Sequence, residues 1–190
     1  MKKITVILLA CMMIFTFGAC GANPSAGSSS ASASEQGEIK LLLSSINTIT
    51  LDGEAINGND FSGEKLTVLN VWATWCPPCV EELPYLQEVS EYYADLGVKI
   101  VGVLEDGVTK DLEPDDAIIS AGKALLANAG AEYTVILPDA LLMQELIDQM
   151  QYFPTTFLID SEGNVIKTVI GSNDAEGWRR EIDEALAEIS

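Results

Sequence analysis

Residues 66–79 read LTVLNVWATWCPPC, a near-continuous apolar run that leads directly into two cysteines separated by two prolines. A run rich in β-branched and aromatic residues, with no polar face, suits a strand buried on both sides, so its sheet must be covered above and below. From about Pro77 the pattern becomes helical and continues to Leu96, where Gly97 ends it, and VKIVGVL at residues 98–104 is a second buried strand. Before the first run, NTITLDGEAI at residues 47–56 alternates around Asp52-Gly53 and predicts a hairpin. After the second run comes the acidic, turn-rich stretch 105–116, followed by a helical stretch, AIISAGKALLANAG. YTVIL at 133–137 reads as a strand and ALLMQELIDQM as a helix. TTFLID and NVIKTVI then flank Ser161-Glu162-Gly163 as an antiparallel hairpin, and an amphipathic helix from near Asp174 places Trp178, Ile182, Leu186 and Ile189 on one face. The expected fold class is α/β, a central mixed β-sheet flanked by helices, in one domain.

That domain does not begin at residue 1. Met1 to Ala19 carries Lys2 and Lys3, an apolar run from Ile4 to Phe17 and then small residues, the pattern of a secretory signal peptide. FGAC at residues 17–20 resembles a bacterial lipobox, in which the cysteine is diacylated and becomes the new N-terminus; Phe17 departs from the aliphatic residue usual there. The alternative is a stray cysteine in an ordinary signal. Residues 21–37 are nearly all Ser, Ala and Gly and predict a disordered tether with a mean reach of roughly 20–25 Å. The expected division is therefore a signal at 1–19, lipidated Cys20 with its tether at 20–37, and a folded domain at 38–190. Loss of Lys2 and Lys3 takes the formal charge from −19 to about −21, so nucleic acid is excluded as a partner. The chain has no histidine, which removes Ser-His and Cys-His hydrolases, most catalytic zinc sites and histidine-assisted copper delivery.

The cysteine count then narrows the chemistry of the pair. Cys11 lies in the signal and Cys20 at its end, leaving Cys76 and Cys79 in the fold. Two cysteines without histidine cannot assemble a tetrahedral zinc site, and a disulfide between residues this close would constrain the unfolded chain little. We expect no metal and no cofactor, and a redox role for the pair.

WCPPC between a buried strand and a helix, Pro84 beyond it, and YFPTTFLID some seventy residues later resemble the thioredoxin-like superfamily, and more narrowly the membrane-tethered disulfide reductases of TlpA and ResA type. The resemblance covers about residues 38–190. It implies a thioredoxin-like fold with an N-terminal β-hairpin and a central αβ insertion at residues 105–137. It also implies that Pro154 is cis and lies against the cysteines, that Phe153 and Thr155 border the substrate groove, and that Trp75 shields the Cys76 side. Packing is the alternative for Thr155. In the mechanism implied, Cys76 attacks a substrate disulfide and Cys79 resolves the mixed disulfide.

Attack requires a thiolate, which the start of a helix favours through its dipole and unpaired N–H groups. Pro77 and Pro78 offer no N–H, so the nearest donors downstream are those of Cys79 and Val80, which predicts a mildly acidified thiol and a reductant. Alternatively the prolines simply start the helix. Thioredoxins usually carry a buried acid on the preceding strand; here the position is Asn70, which cannot take a proton. Glu82, three residues after Cys79, is the candidate replacement, with complementing the helix N-terminus as the alternative for Glu81 and Glu82. The function implied is an extracytoplasmic thiol-disulfide oxidoreductase, lipid-anchored and monomeric. It would reduce exported proteins in support of cytochrome c maturation or of a methionine sulfoxide reductase, and would draw electrons from a membrane thiol carrier of CcdA or DsbD type. The alternatives are an oxidant or isomerase of the same fold and a non-enzymatic surface binding lipoprotein.

Overall fold

The structure, a computed structural model, describes residues 43–190; the expected signal, Cys20, the tether and the first residues of the 38–190 domain lie outside the described residues. The Asp52-Gly53 turn forms where glycine was expected, with Gly53 at φ +83°, and it joins β1 (Asn47–Ile49) to β2 (Ala55–Asn57) as an antiparallel hairpin. The central apolar run becomes β3 (Leu66–Trp72), with every residue buried. α1 (Pro77–Tyr93) follows, extended by a single 3₁₀ turn to Leu96 and stopped by Gly97 at φ +81°.

β4 (Val98–Leu104) lies parallel to β3, with Trp72 opposite Leu104. α2 (Asp116–Ala129) then leads to β5 (Val135–Ile136), and α3 (Ala140–Glu145) leads to the hairpin of β6 (Thr155–Asp160) and β7 (Val165–Ile170). α4 (Ala175–Glu188) closes the chain. The sheet order is β5-β4-β3-β6-β7, parallel on the β4 side and antiparallel on the β6 side.

Alternation along β3 separates two cores. Leu66, Val68 and Trp72 pack with residues of α1, α2 and α4, whereas Leu69 and Val71 pack with Leu142, Leu146 and Ile147 on the opposite face. By the same alternation Asn70 falls on the α1 face, where it is fully buried among apolar neighbours.

Two elements are shorter than their apolar patterns suggest. The strand expected over 133–137 pairs with β4 only at Val135–Ile136, and the hairpin docks along its other edge: Leu51 donates to the Val135 carbonyl at 3.1 Å, and Leu137 donates to the Ile49 carbonyl at 2.9 Å. The helix expected over 140–150 breaks at Leu146, where the Gln149 side chain donates to the Gln144 and Glu145 carbonyls at 3.3 and 3.0 Å. A 3₁₀ turn, Ile147–Gln149, completes that segment.

α4 starts where Asp174 accepts a hydrogen bond from the Gly177 N–H at 2.8 Å. It buries Trp178, Ile182 and Ala185, with Leu186 and Ile189 at the border of the same core. Asp174→Ala should cost about 1 kcal/mol in chemical denaturation; an unchanged midpoint would mean that the cap contributes nothing.

Candidate active site

Cys76 caps α1 in an extended conformation, with Pro77 and Pro78 as the first helical residues. Proline suits these positions because its fixed φ is helical and the N–H it lacks would have no partner inside the helix. The two sulfurs are joined as a disulfide, S–S 2.06 Å, across a Cα–Cα distance of 5.3 Å. Cys76 is 3% exposed and Cys79 fully buried, so the first sulfur is the one a partner can reach. The two N–H groups expected to serve the Cys76 sulfur are directed elsewhere: those of Cys79 and Val80 donate to the Cys76 carbonyl at 3.1 and 3.2 Å.

Strand register carries the second part of the site to the same end of the sheet. β6 runs antiparallel to β3 with Thr155 opposite Val71, so the residues entering β6 lie beside those leaving β3. The Phe153–Pro154 bond there is cis. The Phe153 ring meets Trp75 edge-on at a centroid distance of 5.3 Å, and Trp75 is itself 62% exposed. The Thr155 hydroxyl donates to the Tyr152 carbonyl at 2.8 Å, while its side chain borders a groove of about 410 Å³ shared with Met150, Tyr152, Phe157 and Ile170. Neither cysteine, nor Trp75 or Phe153, is among the residues lining this groove.

Beneath the pair lies one buried acid. Glu82, 1% exposed, accepts from Asn70 Nδ2 at 2.8 Å and from the Asn173 N–H at 3.2 Å. The same Asn70 amide donates to Thr156 Oγ1 at 2.9 Å, its cross-strand neighbour on β6. Burial pushes the Glu82 carboxyl up to about 7, and the bonds from Asn70 and Asn173 restrain the rise. A carboxyl of that acidity exchanges protons near neutral pH, and its three-residue spacing places it on the Cys79 face of the helix.

This arrangement of strand, cysteine pair, helix and proline loop has counterparts among known proteins. Residues 31–186 match the redoxin family. The chain belongs to that family.

Against the thiol-disulfide oxidoreductase ResA of Bacillus thuringiensis (strain Al Hakam), this redoxin is 33% identical over 128 residues, 66% of each chain. Against the thiol:disulfide interchange protein DsbE of Allochromatium vinosum it is 30% identical over 123 residues, 65% of this chain and 61% of that one. The alignments span slightly less than two thirds of these relatives' own length. Its structure resembles that of a thiol:disulfide interchange protein of the thioredoxin family from Chlorobium tepidum TLS, with TM-score 0.63 and 25% identity, over 77% of this chain and 97% of that one. The mixed sheet flanked by helices is therefore thioredoxin-like, and the resemblance to the TlpA and ResA type is borne out.

The sequence placed the redoxin's Cys76, Cys79, Trp75, Phe153, Pro154, Thr155 and Glu82 together, and the structure gathers them at one end of the sheet. It adds Thr156 and Asn173, which hydrogen-bond to the Asn70–Glu82 pair, and Asp106, which binds the turn before Cys76. Asn173 stands just before the helix expected from near Asp174, and nothing in its neighbourhood signals its partner. Among the described residues, no group of three or more His, Cys, Asp or Glu side chains is placed to hold a metal ion, and no helix is long and apolar enough to cross a membrane.

Proposed function

We propose that this redoxin is an extracytoplasmic thiol-disulfide oxidoreductase that reduces disulfides in exported proteins. The observation that carries the reading is the Cys76–Cys79 disulfide at the start of α1, with a proton-exchanging carboxyl buried three residues beyond it. In the reduced protein the Cys76 thiolate attacks a client disulfide, forming a mixed disulfide and releasing one client thiolate, which takes up a proton. Glu82 accepts the Cys79 proton. The Cys79 thiolate then attacks the Cys76 sulfur, the second client sulfur leaves as a thiolate and takes up the proton held on Glu82, and the chain's own disulfide returns. The client gains two electrons and two protons, and the protein is oxidised by the same amount.

Trp75, Phe153, Pro154 and Thr155 border the path of the client, whose extended backbone pairs beside Phe153. A membrane thiol carrier of CcdA or DsbD type restores the dithiol. Signal removal at 1–19 and diacylation of Cys20 would anchor the chain by the 20–37 tether on the outer face of the membrane, where the 38–190 domain acts as a monomer. Clients in cytochrome c maturation, or a methionine sulfoxide reductase, fit a reductant so placed.

The reduction potential tests the direction of transfer. A reductant should equilibrate well below the roughly −180 mV of protein disulfide isomerase, near the roughly −270 mV of thioredoxin. A potential at or above the isomerase value would make the chain an oxidant.

A further inference from the structure

The steps above make no use of Asp106, a half-buried acid in the turn after β4. Its placement follows from strand register. β3 and β4 are parallel with Trp72 opposite Leu104, so the residues two beyond each, Thr74 and Asp106, emerge side by side. The Thr74 N–H donates to both Asp106 carboxylate oxygens, at 3.1 and 3.2 Å, and the Thr74 hydroxyl donates to Oδ2 at 2.5 Å.

Thr74 stands two residues before Cys76, whose own N–H returns to the Ala73 carbonyl at 3.2 Å. The Thr74 and Cys76 nitrogens are therefore no more than ~7 Å apart. The turn carrying Asp106 is itself fixed, by a bridge between Val108 and Pro114 and by the Asp115 N–H on the Gly107 carbonyl at 2.9 Å.

The charge on this turn is not neutralised by a cation. Among the described residues Asp106 forms no ion pair, and Lys110 of the same loop does not reach it. The acids nearest in sequence to this turn and to the pair are Glu105 beside Asp106, Asp115 and Asp116 at the start of α2, and Glu82 on α1. Burial first, and the Asp106 charge second, push the Glu105 carboxyl up, so the charge is felt beyond its own hydrogen bonds.

We propose that Asp106 is a positioning residue for Cys76: it clamps the Ala73–Cys76 turn through Thr74 and sets a fixed negative charge beside it that disfavours the Cys76 thiolate, keeping the dithiol reducing. Electrostatic destabilisation of the thiolate raises the free energy of the reduced state, and the disulfide, which carries no charge, is affected less. The inference deepens the reductive reading of the same pair, yet its test is a difference between variants, whereas that reading is tested by the absolute potential of the native chain.

The experiment equilibrates the full chain and its variants with dithiothreitol redox buffers and follows Cys76 alkylation by iodoacetamide across pH. Asp106→Asn retains an acceptor for Thr74 and removes the charge. At a pH above both alkylation midpoints it should favour the reduced form by about tenfold, ~30 mV for a two-electron couple, a difference that shrinks below them, and it should lower the alkylation midpoint by about one pH unit. Asp106→Glu should remain within about twofold of the native protein, because the charge is restored. Thr74→Val removes a donor from the carboxylate, leaves its charge less compensated, and should shift both readings the opposite way by about threefold. This opposite sign is not expected of a merely structural role, and it can be read even if the Asn variant fails to fold. Unchanged potential and alkylation in Asp106→Asn, an equal shift in Glu105→Gln, or a Thr74→Val shift of the same sign as Asp106→Asn would each overturn the proposal.

Discussion

Cys76→Ser should lower protein-disulfide reduction, measured as insulin reduction, by on the order of 10³-fold or more, to the rate of the reductant alone. The hydroxyl that replaces the thiol is neither ionised at neutral pH nor able to form a disulfide. Cys79 cannot take over, because it is fully buried and its helix places it behind Cys76. The complementary variant, Cys79→Ala, should still attack a client but not resolve it, so client proteins should accumulate on Cys76 as mixed disulfides that survive alkylation and separate on reduction. Trapping in cells would then identify both client and electron donor. Insulin reduction that persists in Cys76→Ser would remove the pair from the chemistry and leave a binding protein.

Glu82→Gln should stabilise the fold at pH 8 and slow turnover. Burial raises the Glu82 carboxyl from 4.5 to about 7, so between these values the folded chain holds a proton that the unfolded chain releases. Stability therefore falls as pH rises from about 4.5 to about 7, and above that the full cost of a buried carboxylate is present, about 3 kcal/mol. Glutamine removes this charge but loses one of the two acceptors serving Asn70 and Asn173, a loss of about 1 kcal/mol. The net gain at pH 8 is about 2 kcal/mol, or roughly 4–8 °C in Tm for a domain of this size. Near pH 4 the native carboxyl is protonated and the advantage should disappear. Melting curves across pH would therefore converge on the acid side. If Glu82 also receives the Cys79 proton, turnover of Glu82→Gln should fall by about 10²-fold and lose its pH dependence near 7. Parallel melting curves would remove the buried charge, and unchanged turnover would remove the proton transfer.

Local pattern made much of the fold legible. An apolar run with no polar face can only be a covered strand, glycine marks the turns, and Asp174 announces α4; each of these depends on residues close in sequence. The site was legible in part for the same reason, since Cys76, Cys79 and Glu82 lie within one helical segment and Phe153-Pro154-Thr155 within another short stretch. The rest depends on contacts between distant residues. Asn173 reaches Glu82 across 91 positions, and Asp106 reaches Thr74 across 32, and neither partner is implied by its own neighbourhood. β5 and α3 were overextended because apolar content reports burial and says little about competing hydrogen bonds. β4 pairs with two residues of β5, whose other edge takes the docked hairpin, and the Gln149 amide ends α3.

The same docked hairpin closes one side of the sheet. Thr50 bridges Ile136, and the backbone bonds from Leu51 and Leu137 occupy groups that β5 would otherwise present to any passing extended chain. Unpaired strand edges are templates for unwanted association. With that margin occupied, the sheet's one open boundary among the described residues is at β7, and its last residue, the exposed Ile170, belongs to the groove that Thr155 shares. Intermolecular strand pairing is thereby confined to the side of the molecule next to the groove.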